Sequence, residues 1–263
     1  MSATQPVLFV SHGAPTFALD PGRPGALLNE LGTKLKPRAV VVVSPHWMTR
    51  GGIAVTASQR PETIHDFGGF PAALYQLQYP VAGEPFLAAQ VAARLNAAGL
   101  EAHLDTQRGL DHGAWVPLMH LFPDAEIPAI QVSMPATLTT EGAWKLGEAL
   151  APLAAEGVLI LASGSLTHNL YEIRFNDTRG DVAAQAFVDW ARQAVTTHDR
   201  AALVDYLRVA PNAQRAHPSS DHYLPLLVAA GAAGAEAPVT VLDGGMQHGV
   251  LSMESYLFGE VSA

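Results

Sequence analysis

The chain of 263 residues contains no cysteine, which excludes disulfide bonds, thiolate metal sites and catalysis by a cysteine nucleophile. Charged residues are also scarce at 15%, whereas hydrophobic residues make up 49%, a composition typical of a globular protein without a disordered block. The formal net charge is -9, and the sequence has no basic cluster of the kind that nucleic-acid binders carry. We therefore expect a protein that does not bind nucleic acid.

Long apolar segments are missing as well, since no stretch approaches the roughly 20 residues of a membrane-spanning helix. The N-terminal sequence MSATQPVLFV has no basic residue ahead of its short apolar run, unlike a secretory signal peptide. These features predict a cytoplasmic protein without membrane association. The length suits one large domain, and no linker or repeat interrupts it, so we predict a single domain over residues 1–263. The oligomeric state stays open.

Several familiar catalytic motifs are absent too. Gly164-Ser165-Leu166 lacks the glycine spacing of a nucleophile elbow. No Gly-Lys-Ser/Thr follows the glycine-rich stretches GGFP and GAAG, and the sequence has no H-E-x-x-H zinc motif. Any chemistry must therefore come from residues dispersed along the chain.

Apolar runs alternate with helical patterns along the sequence. The four valines at 40–43 predict a buried strand within Ala39–Ser44, and shorter runs predict strands at Val7–Val10 and Val158–Ala162. The alternation favours an α/β fold, with a mainly parallel or mixed central sheet flanked by helices. The longer predicted helices are Ala26–Leu35, Pro85–Ala98, Glu141–Ala155, Val182–Thr196 and Ala201–Val209.

Histidine is abundant, with eleven residues against fifteen Lys plus Arg. Three of them, His12, His46 and His168, come just after predicted strands. Ligands of open α/β sheets bind outside the carboxyl ends of the strands. If these strands are neighbours, the three imidazoles converge on one crevice at the edge of the sheet.

Other residues near the histidine segments have two interpretations each. His222 precedes a helix that Pro225 helps to start, so it is either a surface residue or a ligand that the positive helix end keeps neutral. His112 either faces solvent or belongs to the site, and its neighbour Asp111 could cap the following helix. His65, in TIHDFGGFP, has the same ambiguity as His112.

Three converging imidazoles suit zinc, iron, copper or nickel. Three protein ligands leave coordination positions open, as in catalytic metal centres, and a further histidine could act as acid or base. Two reaction classes fit this pattern: hydrolysis by a metal-activated water and activation of O2 at Fe(II). The pattern alone does not choose between them.

Seven segments in chain order, between about residues 7 and 259, resemble the DOPA extradiol dioxygenase family, a branch of the LigB-like class III extradiol dioxygenases. They are SHGAP, VVVVSPHW, TIHDFGGFP, LDHGAWVPL, SGSLTHNL, HPSSDHYLPLL and GVLSMESYLFG. The resemblance implies an α/β enzyme that opens the ring of a catechol with O2 at a non-haem Fe(II). The alternatives are a zinc-dependent hydrolase that uses the same histidines and a binding protein without catalysis.

The resemblance also implies roles for individual residues. His12, His46 and His222 are expected to bind the metal. His168 is expected to act as acid or base and also to contact the metal. His112 is expected to bind oxygen or substrate. The residues expected on the substrate side are His65, Trp47, Asp111 and Tyr223.

One departure from the wider superfamily concerns the third metal ligand. The superfamily uses two histidines and a carboxylate, whereas His222 stands at the third position here, beside Asp221. A neutral third ligand leaves more positive charge on the metal. The resemblance implies Fe(II) in the active enzyme, and the neutral third ligand leads us to expect zinc, or no metal, in place of iron in a purified sample.

Overall fold

Valine- and leucine-rich segments form the centre of an eight-stranded sheet in the computed structural model, which describes residues 4–261. Residues 1–3 and 262–263 of the predicted domain lie outside the described residues. The strands are β1 (Val7–Ser11), β2 (Ala39–Thr49), β3 (Ile53–Thr56), β4 (Ala102–Asp105), β5 (Ala129–Pro135), β6 (Val158–Gly164), β7 (Val239–Leu242), β8 (Met246–Gln247), β9 (Leu251–Ser252) and β10 (Ser255–Phe258).

The order of strands in the large sheet is β4-β3-β5-β2-β6-β1-β10-β7, while β8 and β9 form a separate pair. The neighbours β5, β2, β6 and β1 run parallel to one another, as do β3 and β4. The pairs β3–β5, β1–β10 and β10–β7 are antiparallel. The sheet is therefore mixed with a parallel centre, which confirms the predicted α/β class.

Helices cover both faces of the sheet, and an apolar core lies on each face. Strands β2 and β6 are buried on both sides, which is why their sequences read as nearly continuous apolar runs. The helices are α1 (Gly22–Lys34), α2 (Pro85–Ala97), α3 (His112–Leu121), α4 (Thr140–Leu150), α5 (Pro152–Ala155), α6 (Val182–Thr196), α7 (Arg200–Val204), α8 (Tyr206–Val209), α9 (Ala213–Ala216) and α10 (Leu224–Ala233).

Several predicted element boundaries are wrong. The helix predicted over Ala26–Leu35 begins at Gly22, and the one predicted over Ala201–Val209 is interrupted at Asp205. Proline affects two further elements. The helix predicted over Glu141–Ala155 is interrupted after Leu150, because Pro152 lacks a backbone N–H and begins a new turn. Strand β2 does not end at Ser44 but continues to Thr49. Its pairing with β5 is interrupted around Pro45, which cannot donate to the ladder, and resumes at Met48.

Helix α10 packs against α4 at two points where the backbones approach closely. A Cβ atom added at Gly147 would lie 2.1 Å from the carbonyl oxygen of Val228, and one added at Gly231 would lie 2.3 Å from that of Trp144. These contacts hold α10, whose N-terminal end faces the edge of the sheet where the histidines gather. Although α10 is almost wholly apolar, no helix within residues 4–261 is long and apolar enough to cross a membrane.

Gly147→Ala is expected to destabilise the protein, because its methyl group cannot fit against the backbone of α10. Overpacking of this kind costs about 1–3 kcal/mol, against which the better helix propensity of alanine returns at most about 1 kcal/mol. Thermal unfolding should therefore show a lower midpoint. Gly51→Ala is the matched control, since a Cβ atom there meets no other atom within 4 Å. A Gly147→Ala protein as stable as the parent would contradict the close packing.

Candidate metal centre

The parallel centre of the sheet brings three histidines to one edge. Strands β2, β6 and β1 are consecutive neighbours, so their carboxyl ends lie side by side. His12 directly follows β1, and its backbone N–H continues the ladder by donating to the carbonyl of Gly164, at 2.9 Å. His46 lies in the last part of β2, and His168 lies in the loop that follows β6. The convergence predicted from the strand ends is thus present.

A fourth histidine, His222, reaches the same edge from the turn before α10. Its backbone carbonyl accepts a hydrogen bond from the N–H of Ser165, at 3.0 Å, which joins this turn to the end of β6. The approach is so close that a Cβ atom at Gly164 would lie 2.5 Å from the same carbonyl oxygen. Glycine at the end of β6 is therefore needed to seat the turn that carries His222.

The rings of His12, His46 and His222 face one another. Their centroids are 5.0–5.3 Å apart, and one nitrogen from each ring lies within 4.8 Å of the other two. The Nε2 atoms of His12 and His46 are separated by 3.1 Å.

Hydrogen-bond partners occupy the outward Nδ1 atoms of two of these rings, His12 and His222. Nδ1 of His12 lies 2.9 Å from Oγ of Ser163, and Nδ1 of His222 donates to Oδ2 of Asp221, also at 2.9 Å. Because a carboxylate only accepts hydrogen bonds, the proton of neutral His222 is on Nδ1 and its Nε2 carries a lone pair. Outer partners of this kind orient histidines that bind metals.

The donor set fits a divalent cation. Nε2 of His222 is buried and has no hydrogen-bond partner within residues 4–261, a costly state for a polar atom unless a ligand satisfies it. Nitrogen ligands at about 2.1 Å from a metal, at angles between octahedral and tetrahedral, lie roughly 3.0–3.4 Å apart. The separation of 3.1 Å between His12 and His46 falls in this range.

Burial disfavours the charged form of His12, His46 and His168. The pKa of His12 lies well below its ordinary value because of burial and then because of the neighbouring histidines, first His46. Burial, followed by repulsion from His112, lowers the pKa of His46 to about 2. The pKa of His168 falls to about 3, chiefly through burial and then through His222. Neutral imidazole is the form that binds metals, so no proton has to leave these rings at neutral pH.

Two further histidines lie beside the three-ring cluster. The ring of His168 stacks on that of His222, with centroids 3.5 Å apart and planes only 6° from parallel. His112 is the first residue of α3, and the centroid of its ring lies 3.9 Å from that of His46. On its other side, His112 is hydrogen-bonded to Asp66, with 2.9 Å between Nδ1 and Oδ2.

A cavity of about 1200 Å³ opens onto these histidines. Aromatic and apolar side chains form much of the rest of its wall, and several of them are exposed at its mouth. The lining residues beyond the histidines of the cluster include Phe17, Leu19, Phe67, Phe70, Leu170, Ile173, Phe175, Gln247 and His248.

Asp111 and Tyr223, both predicted to contact substrate, are fully buried away from this cavity. Asp111 caps α3 by accepting a hydrogen bond from the N–H of Ala114, at 3.2 Å, which confirms the capping interpretation. The hydroxyl of Tyr223 donates to the carbonyl of Leu203, at 2.9 Å, inside the core. The structure thus gives no support for contacts between these two side chains and a substrate.

Trp47 and His65 also lie outside the cavity wall. The indole of Trp47 is buried beneath the guanidinium of Arg108, 4.8 Å from the ring centroid, and alternation along β2 turns it away from His46. His65 donates from Nε2 to the carbonyl of Leu77, at 3.0 Å. The residue after His65, Asp66, is the one that reaches the histidine cluster.

The reasoning from sequence missed the partners of the histidines: Ser163, Asp66 and Asp221. Alternation along β6 assigns Ser163 to one face of the sheet, but the sequence does not reveal that β1, which precedes His12, is the neighbouring strand. Asp66 follows His65 in the chain, and no periodicity links it to His112, 46 residues away. Asp221 adjoins His222, but adjacency in the sequence does not show that its carboxylate bonds the ring.

The comparisons with known proteins agree on one family. The model of the catalytic LigB subunit of aromatic ring-opening dioxygenase matches residues 25–259. The chain is 40% identical to a Beta vulgaris protein named 4,5-DOPA dioxygenase extradiol, over 95% of both chains. It is 38% identical to a protein of the same name from Escherichia coli K12, over 98% of this chain and 97% of the relative. The crystal structure of an uncharacterised Escherichia coli K12 protein superposes with a TM-score of 0.81 at 32% identity, covering 97% of this chain and all of that one.

The metal-free protein is expected to lose stability as the pH falls from 6.5 towards 4. Histidines with a lowered pKa in the folded state take up protons on unfolding, so the stability is complete above about pH 6.5 and declines below it. Each such histidine contributes up to about 1.4 kcal/mol per pH unit. Denaturant unfolding at a series of pH values measures this slope.

His217 offers a test outside the three-ring cluster, because it is buried and burial lowers its pKa to about 4. His217→Gln should reduce the slope by about one proton, whereas the same substitution at the exposed His103 should leave it unchanged. Equal slopes for the parent and His217→Gln would show that His217 titrates alike in both states.

Proposed function

The chain belongs to the family of the catalytic LigB subunit of aromatic ring-opening dioxygenases, and from this membership we propose that it is an extradiol dioxygenase that opens a DOPA-like catechol with O2. The observation that carries the proposal is the meeting of His12, His46 and His222, with Nε2 of His222 buried and unpartnered among the described residues. A non-haem metal would satisfy that nitrogen.

In this proposal His12, His46 and His222 hold the metal through their Nε2 atoms. A metal held by these residues would lower the pKa of a catechol hydroxyl and would supply the chemistry that activates O2. Ser163 and Asp221 hold the outward nitrogens of His12 and His222, so that the inward lone pairs stay directed at one point. The chain thus supplies a preorganised set of neutral donors.

His168 is assigned the proton transfer. It enters the reaction as a neutral ring, because burial disfavours its charged form. Once it has taken a proton from a catechol hydroxyl, the nearby carboxylate of Asp221 stabilises the resulting imidazolium. The protonated ring can then return the proton as an acid later in the reaction.

The cavity wall supports an aromatic substrate. Phe67, Phe70 and Phe175 line it together with His112, which we assign to binding substrate or oxygen. Flat apolar walls with a few polar groups at one end suit a ring that carries two hydroxyls at one edge. Both curated relatives described above bear a name that specifies 4,5-DOPA, which supports a DOPA-like catechol for this chain.

We further propose Fe(II) as the active metal, with zinc as a competitor for the same nitrogens. Zinc has no redox chemistry and would occupy the site without supporting oxygen activation. The test is anaerobic loading with Fe(II), followed by measurement of oxygen uptake and of a yellow ring-opened product across a panel of catechols. Activity with Fe(II) but not with zinc supports the proposal. Metal-dependent hydrolysis without oxygen uptake would favour the hydrolase alternative.

His46→Ala is expected to lose metal, because one of three donors is removed and each of the others is neutral. The metal content after loading, measured by elemental analysis, should fall from about one equivalent to a small fraction, and turnover should fall with it. His103→Ala is the control, because His103 is exposed on β4 and away from the cluster. Full metal occupancy in His46→Ala would remove it from the ligand set.

His168→Ala is expected to keep most of its metal but to lose turnover by about 10²–10⁴-fold, the usual contribution of a positioned acid or base. Metal content and the rate of oxygen uptake, measured on the same preparation, separate the two effects. A native rate in the iron-loaded variant would show that His168 has no part in proton transfer.

A further inference from the structure

The carboxylate of Asp66 lies between two histidines of the site. Its Oδ2 atom is 2.9 Å from Nδ1 of His112 and 3.6 Å from Nδ1 of His46. Its Oδ1 atom accepts a second hydrogen bond from the backbone N–H of His112, at 2.9 Å. Both carboxylate oxygens therefore engage His112, and one of them also faces the outward nitrogen of His46.

The side chains that make these contacts are partly shielded from water. The side chains of His112 and Asp66 are 6% and 19% exposed. Burial acts to raise the pKa of Asp66, but the hydrogen bonds from the ring and backbone of His112 outweigh it, so the pKa lies below the ordinary value. Both carboxylate oxygens face N–H groups of His112 and accept hydrogen bonds from them, as a carboxylate does.

A permanent acceptor at Nδ1 decides which tautomer a neutral imidazole adopts. Nδ1 of His112 must carry the proton, which leaves a lone pair on Nε2, the other nitrogen of a ring that lines the cavity. The longer contact with His46 acts in the same sense, because a proton on Nδ1 of His46 leaves its Nε2 free to face His12 and His222.

We propose that Asp66 is a positioning residue that holds His112 in the Nδ1–H tautomer and favours the same tautomer of His46. The proposal rests on the function proposed above and adds the role of one histidine to it. His112 presents a hydrogen-bond acceptor to the cavity, and the group that it recognises is a hydroxyl of the catechol. In the Nδ1–H tautomer, Nε2 of His112 accepts a hydrogen bond and does not donate one. One carboxylate thereby sets the tautomer of both a metal ligand, His46, and a ring that binds substrate, His112.

A second cation between these residues is the rival explanation. The ligand-capable atoms of His46, Asp66 and His112 lie within 4.8 Å of one another, so this group could bind a metal of its own. A separation of 2.9 Å between Nδ1 and Oδ2 matches a direct hydrogen bond and needs no ion to explain it. Metal stoichiometry separates the two explanations.

The test uses Asp66→Asn, which keeps the size of the side chain. The amide oxygen can still accept from the backbone N–H of His112, and the amide NH2 then faces Nδ1 as a donor. Nitrogen NMR of the metal-free, histidine-labelled protein, with the signals of His112 assigned through His112→Gln, reports the tautomer directly. We expect Nδ1–H in the parent and Nε2–H in Asp66→Asn. Asp124→Asn, at an exposed position, is the control and should leave the tautomer unchanged.

The iron-loaded proteins provide the second readout. We expect one equivalent of metal in the parent and a fall in kcat/KM of about 10- to 100-fold in Asp66→Asn, the usual effect of losing such a partner. An Nε2–H tautomer of His112 in the parent overturns the proposal, whether or not the variant folds. Two equivalents of zinc in the parent and one in Asp66→Asn would also overturn it.

These outcomes are distinct from a failure of the proposed function. The NMR measurement needs neither metal nor catechol, so it decides the role of Asp66 even if the parent opens no catechol. Conversely, an active parent in which Asp66→Asn keeps the Nδ1–H tautomer leaves the dioxygenase intact and removes Asp66 from its positioning role.

Discussion

The buried pocket shared by His12, His46 and His168 disfavours a charge on any of these three imidazoles. Burial and mutual repulsion lower the pKa values of His12, His46 and His168, because a proton on any one of them would be poorly solvated and close to the others. The same condition makes every ring a potential donor to a cation. Burial of these rings therefore has an energetic cost, and the same burial leaves their nitrogens able to bind a metal. The outward partners Ser163 and Asp221 orient the rings without adding positive charge.

The sheet provides this arrangement through the lateral order of its strands. Because β6 lies between β2 and β1, residues that are far apart in the chain end up at one edge. The backbone link between Ser165 and His222 then joins the turn before α10 to that edge, and Gly164 leaves the space that the link requires. The positions of the rings are therefore set mainly by backbone hydrogen bonds and close packing, which are stiff compared with a site built on loops alone.

Sequence reasoning located the strands and the histidines that follow them, because valine-rich runs are a strong signal of buried strands. It could not establish which strands are neighbours, since lateral order depends on the packing of the whole chain. It also could not determine where side chains point. His65 and Asp66 are adjacent, yet only Asp66 reaches the cluster, and Tyr223 follows His222 but faces the core. The family resemblance suggests roles for individual residues. Hydrogen bonds between residues far apart in the sequence become visible only in the structure.

Two kinds of residue form the wall of the cavity: buried histidines and exposed apolar side chains. The histidines rest on strand termini and buried hydrogen bonds, whereas the wall also includes Leu170 and Phe175, which are 57% and 75% exposed. Exposed side chains contribute little to folding, so these positions can vary in size and polarity while the histidines stay in place. A scaffold divided in this way can be adapted to aromatic compounds with different substituents without rebuilding the part that handles oxygen.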